Sequence, residues 1–199
     1  MALRTLNIDF NNLKKEPYNR FDVKFYLVND FFDNISEEYH LSVEPISKLK
    51  ESVISGSYID TYTSKENGIP YLRVGDIKPF SFDENEEDLA YVSKNVPDKI
   101  KIKENDVLVA RTQATIDKLG TASIADKSIS GWATSQHTTR ITIDKKKLSP
   151  YYLVAYLNSK FFKAQAALAS HGSTRVEMTH SQLNQVRVFI PEKKLLDEI

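Results

Sequence analysis

The sequence contains no cysteine, which removes disulfides, thiolate zinc sites and cysteine nucleophiles from consideration. That absence suits a cytoplasmic protein. No run approaches the roughly 18 consecutive apolar residues of a membrane-spanning helix, and Met1-Ala2-Leu3-Arg4 lacks the apolar stretch of a secretory signal. Glycine (6) and proline (7) are scarce, so there is no flexible linker, and no repeat or low-complexity tract interrupts the chain. Net charge is absent too: 27 Lys and Arg balance 27 Asp and Glu, which by itself speaks against a nucleic-acid binder. Also missing are a Gly-x-Ser-x-Gly elbow, a phosphate-binding glycine loop, a dinucleotide fingerprint and the acidic-Pro-Pro-aromatic tetrapeptide of adenine methyltransferases. Among His40, His137, His171 and His180 no pair stands at i, i+4, which excludes a helical zinc-protease motif. His171, Glu177 and His180 could gather near a helix start, but lone histidines in polar loops are usually solvated. Pro97-Asp98 and Glu192-Lys193-Lys194 resemble pieces of a nuclease site, yet they stand far apart in the sequence. No catalytic residue, metal or cofactor is expected.

What is present is an ordinary globular balance over 199 residues, 41% hydrophobic and 27% charged, enough for one domain with a real core. The charges are unevenly distributed. From Lys99 to Arg187 there are 14 Lys and Arg against 6 Asp and Glu, whereas the remainder has 13 against 21. The acidic excess is sharpest at Asp83-Glu84-Asn85-Glu86-Glu87-Asp88. Such a division can give a neutral protein one basic face, or it can be solvated surface on both halves.

Residues 1–18 carry no clear period and read as a lead-in segment. The aromatic-rich stretch 19–39 is expected to be partly helical. In Glu44–Gly56 the residues Ile46, Leu49, Val53 and Ile54 share a helical face, with Pro45 in the first turn and Gly56 at the stop, so a helix is predicted there. Strands are predicted over 69–74, 106–111, 119–125 and 138–143. In the last of these Thr138, Arg140 and Thr142 lie opposite Ile141 and Ile143. No helical pattern separates these strands, which favours antiparallel or mixed β structure over a doubly wound sheet. Trp132 and the other aromatics read as core. Ser149 as N-cap and Pro150 at the first position open a predicted helix to residue 169, carrying Leu153, Leu157, Phe161, Ala164 and Leu168. Thr179-His180-Ser181-Gln182 has the form of a capping box, Arg187–Ile190 reads as a strand, and residues 191–199 open another helix.

Several pieces stand in a fixed order along the chain. They are Gly68-Ile69-Pro70-Tyr71-Leu72-Arg73-Val74-Gly75-Asp76-Ile77, then Asp106-Val107-Leu108-Val109-Ala110-Arg111-Thr112 running on through Ala114-Thr115-Ile116 to Lys118, then Ser135-Gln136-His137 before Arg140-Ile141. After these come Ser149-Pro150-Tyr151-Tyr152-Leu153, Tyr156-Leu157-Asn158-Ser159, Gly172-Ser173-Thr174, Thr179, Leu183 and Ile190-Pro191. The ordered set resembles the target recognition domain of the DNA specificity subunit of type I restriction-modification enzymes. Arg20-Phe21-Asp22 looks like the opening of that family's domain, and the resemblance spans about residues 18 to 199.

The resemblance implies an α+β fold: a single target recognition domain (residues 19–190) with a twisted, mostly antiparallel or mixed β core and flanking helices. A truncated long spacer helix would begin at 191–199. It implies sequence-specific binding of double-stranded DNA by a non-catalytic component that positions adenine-N6 methyltransferase and restriction subunits at a half-site. Self-association through the C-terminal helix is a further expectation. One departure is local: where the family commonly has glycines, this chain has Gln113 and Asp117. Either the backbone differs there or those positions have become side chains that read sequence.

The DNA-contacting candidates are Arg111, Thr112, Gln113, Thr115, Lys118, Gln136, His137, Gly172, Ser173, Thr174 and Arg175. Arg111 suits phosphate or a bidentate guanine contact, or equally a salt bridge with Asp76 or Asp106. Arg73 reads as structural. Gln113 and Gln136 can pair with adenine, and Thr112 and Thr115 can meet phosphate or a thymine methyl. Lys118 and Lys145-Lys146-Lys147 are phosphate candidates. Gly172-Ser173-Thr174-Arg175 could wrap a phosphate and reach a base edge, or be a helix C-cap with an incidental arginine. The alternatives are a recognition domain from a fused restriction-methyltransferase, a protein-interaction module, or a nuclease with scattered carboxylates.

Overall fold

The computed structural model describes residues 23–82, 88–170 and 175–192, and the chain divides into two compact units, 1–42 and 43–199. In the first, the aromatic-rich stretch forms helix α1 (Val23–Glu38), as its sequence leads one to expect. The Ser36 hydroxyl donates to Leu41 O (2.5 Å) just beyond it. The predicted lead-in segment 1–18, Arg20-Phe21-Asp22 and most of the predicted spacer-helix start lie outside the described residues.

The second unit opens on strand β1 (Ser42–Pro45) and a single helical turn, α2 (Ile46–Leu49), that buries Ile46 and Leu49. The helix predicted over Glu44–Gly56 stops there. Its second half is strand β2 (Lys50–Ser55). The reason is a partner far along the chain: β2 lies antiparallel to β11 (Thr138–Ile143), with Ile54 opposite Arg140 and Val53 opposite Ile141. Ser52 and Ser55 meet Thr142 and Thr139 through hydroxyl contacts of 3.1 and 3.2 Å. Cross-strand pairs of this kind outweigh a modest helical periodicity.

Between β2 and β11 run β3 (Gly68–Leu72), the short hairpin β4 (Ile77–Lys78) and β5 (Ser81–Phe82), β6 (Ala90–Ser93), β7 (Val107–Ala110), β8 (Thr112–Gln113), β9 (Ala122–Ile124) and β10 (Ala133–Thr134). An antiparallel sheet runs in the order β2-β11-β7-β9. A second sheet, β10-β3-β6, pairs β10 with β3 in parallel and β3 with β6 antiparallel. The expected mixed α+β architecture is therefore present. Leu72, Ile77, Ile102, Leu108, Ala110, Ala125 and Ile129 form one core, with Trp132 packed against it as predicted.

The alternation read in β11 has a specific use. Arg140 and Thr142, on one face, both address Asp106 at the start of β7. The Arg140 guanidinium pairs with Asp106 at 2.6 Å, and the Thr142 hydroxyl donates to the same carboxylate at 2.7 Å. Lys103 N donates to it at 2.9 Å. The two charged side chains are 3% and 0% exposed. Arg140 therefore adds nothing to a basic surface.

The helix predicted over 150–169 is two helices, α3 (Pro150–Leu157) and α4 (Lys160–Ala169). Asn158 separates them. Its amide accepts from Ala122 N (3.1 Å) and donates to Ala122 O (2.8 Å), imitating a further strand along the edge of β9. The Ser149 side chain makes no capping bond, whereas Ser159 accepts from Phe162 N and starts α4. The break shifts the buried face: Phe162 is fully buried, whereas Phe161, predicted inside, is 37% exposed and packs at the surface against Tyr156 and Phe189. Asn158→Ala would strand the buried Ala122 N–H and should cost about 1–3 kcal/mol. Chemical denaturation checks this, and an unshifted midpoint would show that the edge contact carries no stability.

After α4 come β12 (Val176–Glu177), α5 (His180–Asn184) and β13 (Arg187–Ile190). The capping box is present: Gln182 N donates to Thr179 Oγ1 (3.1 Å) and Thr179 N to Gln182 Oε1 (2.7 Å). The helices hold β13 through Tyr152 and Tyr156, whose hydroxyls donate to Phe189 O and Arg187 O.

Candidate nucleic-acid interface

Strand register places several polar segments at one end of the β2-β11-β7-β9 sheet. There β7 ends at Ala110 opposite Thr138, where β11 begins, and Arg111 N donates to His137 O (3.1 Å). Ser55 ends β2 opposite Thr139, and Gly56 N donates to Thr138 O. Only glycine fits at 56, because a Cβ would lie 1.8 Å from the backbone oxygen of Thr134. β8 then pairs with β12, Gln113 opposite Val176 and Thr112 opposite Glu177, which draws in residues 175–178.

Arg111 ties these segments together. Its Nη1 pairs with the Glu177 carboxylate and donates to Met178 O (3.0 Å), while Nη2 donates to Gln136 O (3.4 Å). The arginine is 15% exposed and Glu177 35%. The salt bridge open from sequence therefore exists, with neither of the expected partners. Asp76 is taken by Arg73, which forms the structural contact predicted for it, and Asp106 by Arg140. No local signal could identify Glu177, which is 66 residues from Arg111.

Beside this latch, Thr112 is buried, with Oγ1 3.2 Å from His137 Nδ1. The Gln136 amide nitrogen lies 3.2 Å from His137 Nε2. His180 meets the Ser55 hydroxyl at 2.8 Å. Partial burial, with the charges of Arg111 and Lys50, pushes its pKa below the ordinary histidine value.

From Gln113 the chain makes a turn in which Ala114 to Lys118 are exposed. Lys118 N and Leu119 N both donate to Thr115 O (3.3 and 3.2 Å). A hydrogen bond from Thr115 holds the Asp117 carboxyl below its ordinary range. Neither Gln113 nor Asp117 has a positive φ, so this backbone does not need the glycines found elsewhere in the resembling family. The turn closes at Gly120, whose φ is +72° and against which the Phe162 ring packs. Lys163 Nζ donates to Leu119 O (2.6 Å). Burial lowers the pKa of that lysine, against the opposing charge of Asp117.

Of the sequence candidates, Arg111, Thr112, Gln113, Gln136 and His137 thus converge, Thr115 and Lys118 stand on the adjoining turn, and exposed Arg175 immediately precedes β12. Gly172-Ser173-Thr174 and His171 lie outside the described residues. Lys145-Lys146-Lys147 follow the opposite end of β11, where Lys147 Nζ donates to Lys48 O (2.9 Å). The lysine triplet therefore stands at the other end of β11 from His137 and Arg111. Among the described residues no group of His, Asp or Glu is placed to hold a metal ion, and no helix is long and apolar enough to cross a membrane. Asp98, weighed as a nuclease fragment, pairs with Lys101 at 2.8 Å.

The family model described as the type I restriction modification DNA specificity domain matches residues 46–195. No curated protein sequence matches significantly. Several solved structures share the fold, among them the following three. The S subunit of a type I restriction-modification system from M. genitalium is 13% identical, with a TM-score of 0.51 over 77% of this chain and 36% of that one. The HsdS subunit from Thermoanaerobacter tengcongensis is 13% identical, with a TM-score of 0.56 over 88% and 43%. The type IIG restriction endonuclease BpuSI is 12% identical, with a TM-score of 0.58 over 89% and 28%. The chain thus spans less than half the length of each, and at these identities the likeness is one of fold.

Proposed function

The chain belongs to the type I restriction modification DNA specificity domain family, a family of non-catalytic recognition modules, and we propose that it reads a short sequence in double-stranded DNA. The observation that carries this reading is the convergence of segments 111–118, 136–137 and 175–178 at one end of the sheet, tied by Arg111. In this reading Arg111, Thr112 and His137 hold the segments in register. Gln113 and Gln136 face adenine edges. Thr115, Lys118, Arg175 and the preceding Gly172-Ser173-Thr174 meet phosphates and neighbouring base edges. No cofactor takes part.

In this reading the recognition domain spans 19–190, and a spacer starting at 191–199 is the part through which the chain self-associates or completes a longer subunit. Around it, an adenine-N6 methyltransferase subunit and, through the complex, a restriction subunit are positioned at the half-site, in the cytoplasm. The likeness to a type IIG endonuclease favours a second parent architecture, a recognition domain within a fused enzyme. DNA reading is common to both.

Selection from a randomised duplex library, at low and then higher salt, tests the proposal. Recovery of a motif of about 3–5 base pairs, with affinity falling as salt rises, is expected. Absence of binding at low salt would overturn it in favour of a protein-interaction module. Because the lysine triplet lies at the other end of the sheet, replacing Lys145, Lys146 and Lys147 by alanine should leave affinity unchanged. Lys118→Ala should flatten the log–log salt slope by about 0.9, one phosphate's worth. The reverse result in salt titrations would place the DNA at the wrong end of the domain.

A further inference from the structure

The turn after β8 carries an aliphatic side chain at the surface. Ile116 is 36% exposed, between Thr115 and Asp117, which are hydrogen-bonded to each other. Its own carbonyl accepts from Leu119 N (3.2 Å), so its backbone belongs to the turn. The turn is held at both ends. On one side β8 is paired with β12. On the other, Lys163 donates to Leu119 O at 2.6 Å and Phe162 closes on Gly120. An apolar side chain on so constrained a backbone is pre-organised for contact, since little conformational freedom remains to be lost on binding.

The one apolar group that base edges offer in the major groove is the thymine C5-methyl. We propose that Ile116 reads that methyl, an inference that rests on the DNA-binding reading above. Of the two thymine-methyl candidates from sequence, Thr112 is buried and hydrogen-bonded to His137, and exposed Thr115 is hydrogen-bonded to Asp117, so Ile116 is the large apolar side chain of this exposed segment. Lys118 and Lys163 lie within electrostatic reach of the neighbouring Asp117 carboxylate. The more exposed Phe80, at the tip of the β4–β5 hairpin, is a poorer candidate. It is followed within three residues by the acidic run from Asp83 to Asp88, which the phosphate backbone would repel.

The test uses the selected duplex with each thymine replaced in turn by deoxyuridine, which removes only the methyl. Binding of the wild-type chain and of Ile116→Ala is measured by fluorescence anisotropy. One position is expected at which deoxyuridine weakens the wild type about fourfold, the value of one buried methyl group, and leaves Ile116→Ala indifferent. A selected motif without thymine on either strand would overturn the inference while leaving DNA reading intact. So would a deoxyuridine effect of equal size in both proteins. Failure of both proteins to bind any duplex at low salt would overturn the DNA reading, and this inference with it. Matching thermal melts of the two proteins confirm that the comparison is one of contacts and not of folding.

Discussion

Asp106→Ala should destabilise the protein by about 3–5 kcal/mol, because it leaves the Arg140 guanidinium buried without a counter-charge. That is a large part of the roughly 5–15 kcal/mol by which a domain is folded at all. In urea it corresponds to a midpoint lower by about 2 M. The effect is large because one carboxylate serves three donors: Arg140, the hydroxyl of Thr142 and the amide of Lys103. The pair's attraction need not exceed its desolvation cost for this to hold. Removing both charges together, Asp106→Leu with Arg140→Met, should therefore recover most of the lost stability. What is not recovered belongs to Thr142 and Lys103 N, which lose their acceptor in either case, and to Lys99 O, which loses its donor with Arg140. A single variant within about 1 kcal/mol of the wild type would mean that the interior at Asp106 is wetter than its burial indicates.

The second large effect concerns the latch. Arg111→Ala frees Glu177, Met178 O and Gln136 O together, so the segments that converge at the sheet end lose their common tie. They must then be ordered when DNA binds, and an uncompensated carboxylate remains beside the phosphates. The expected weakening is about 2–3 kcal/mol, roughly 30- to 150-fold in affinity. Partial solvent screening of Glu177 keeps it below the value for a fully buried pair. Glu177→Gln keeps an acceptor in place and should weaken binding about tenfold or less. The loss in Arg111→Ala should be uniform across DNA sequences, because the guanidinium's assigned bonds are all to protein groups. Anisotropy titrations against the selected motif and against single-base variants distinguish the roles. Preference relaxed at one position only, with stability unchanged, would make Arg111 a base reader instead of a positioning residue.

Where sequence and structure agree, the signal was short-range. The capping box at Thr179 and Gln182 needs only a spacing of three residues, and the alternation of β11 needs only six. The absence of cysteine and of catalytic signatures was equally plain. The ordered pieces from Gly68 to Pro191 identified the family that the comparison with known families supports. The polar side chains at 111–113 and 136–137 were legible as residues flanking apolar strands, and the structure brings them together.

What the sequence by itself determined is thus the composition of the core, the local caps and turns, and membership of a family of DNA specificity domains. Only the tertiary structure decided that 50–55 is strand and not helix, through β11 some ninety residues away. It decided also that Asn158 divides the C-terminal helix by pairing with Ala122, that Arg111 belongs to Glu177, and that the lysine triplet lies at the far end of the sheet from Lys118. The physical reason is common to all of these. Propensity and periodicity act within a few residues, whereas a backbone edge or a buried charge takes whichever partner the folded chain brings to it, and sequence distance carries no record of that choice.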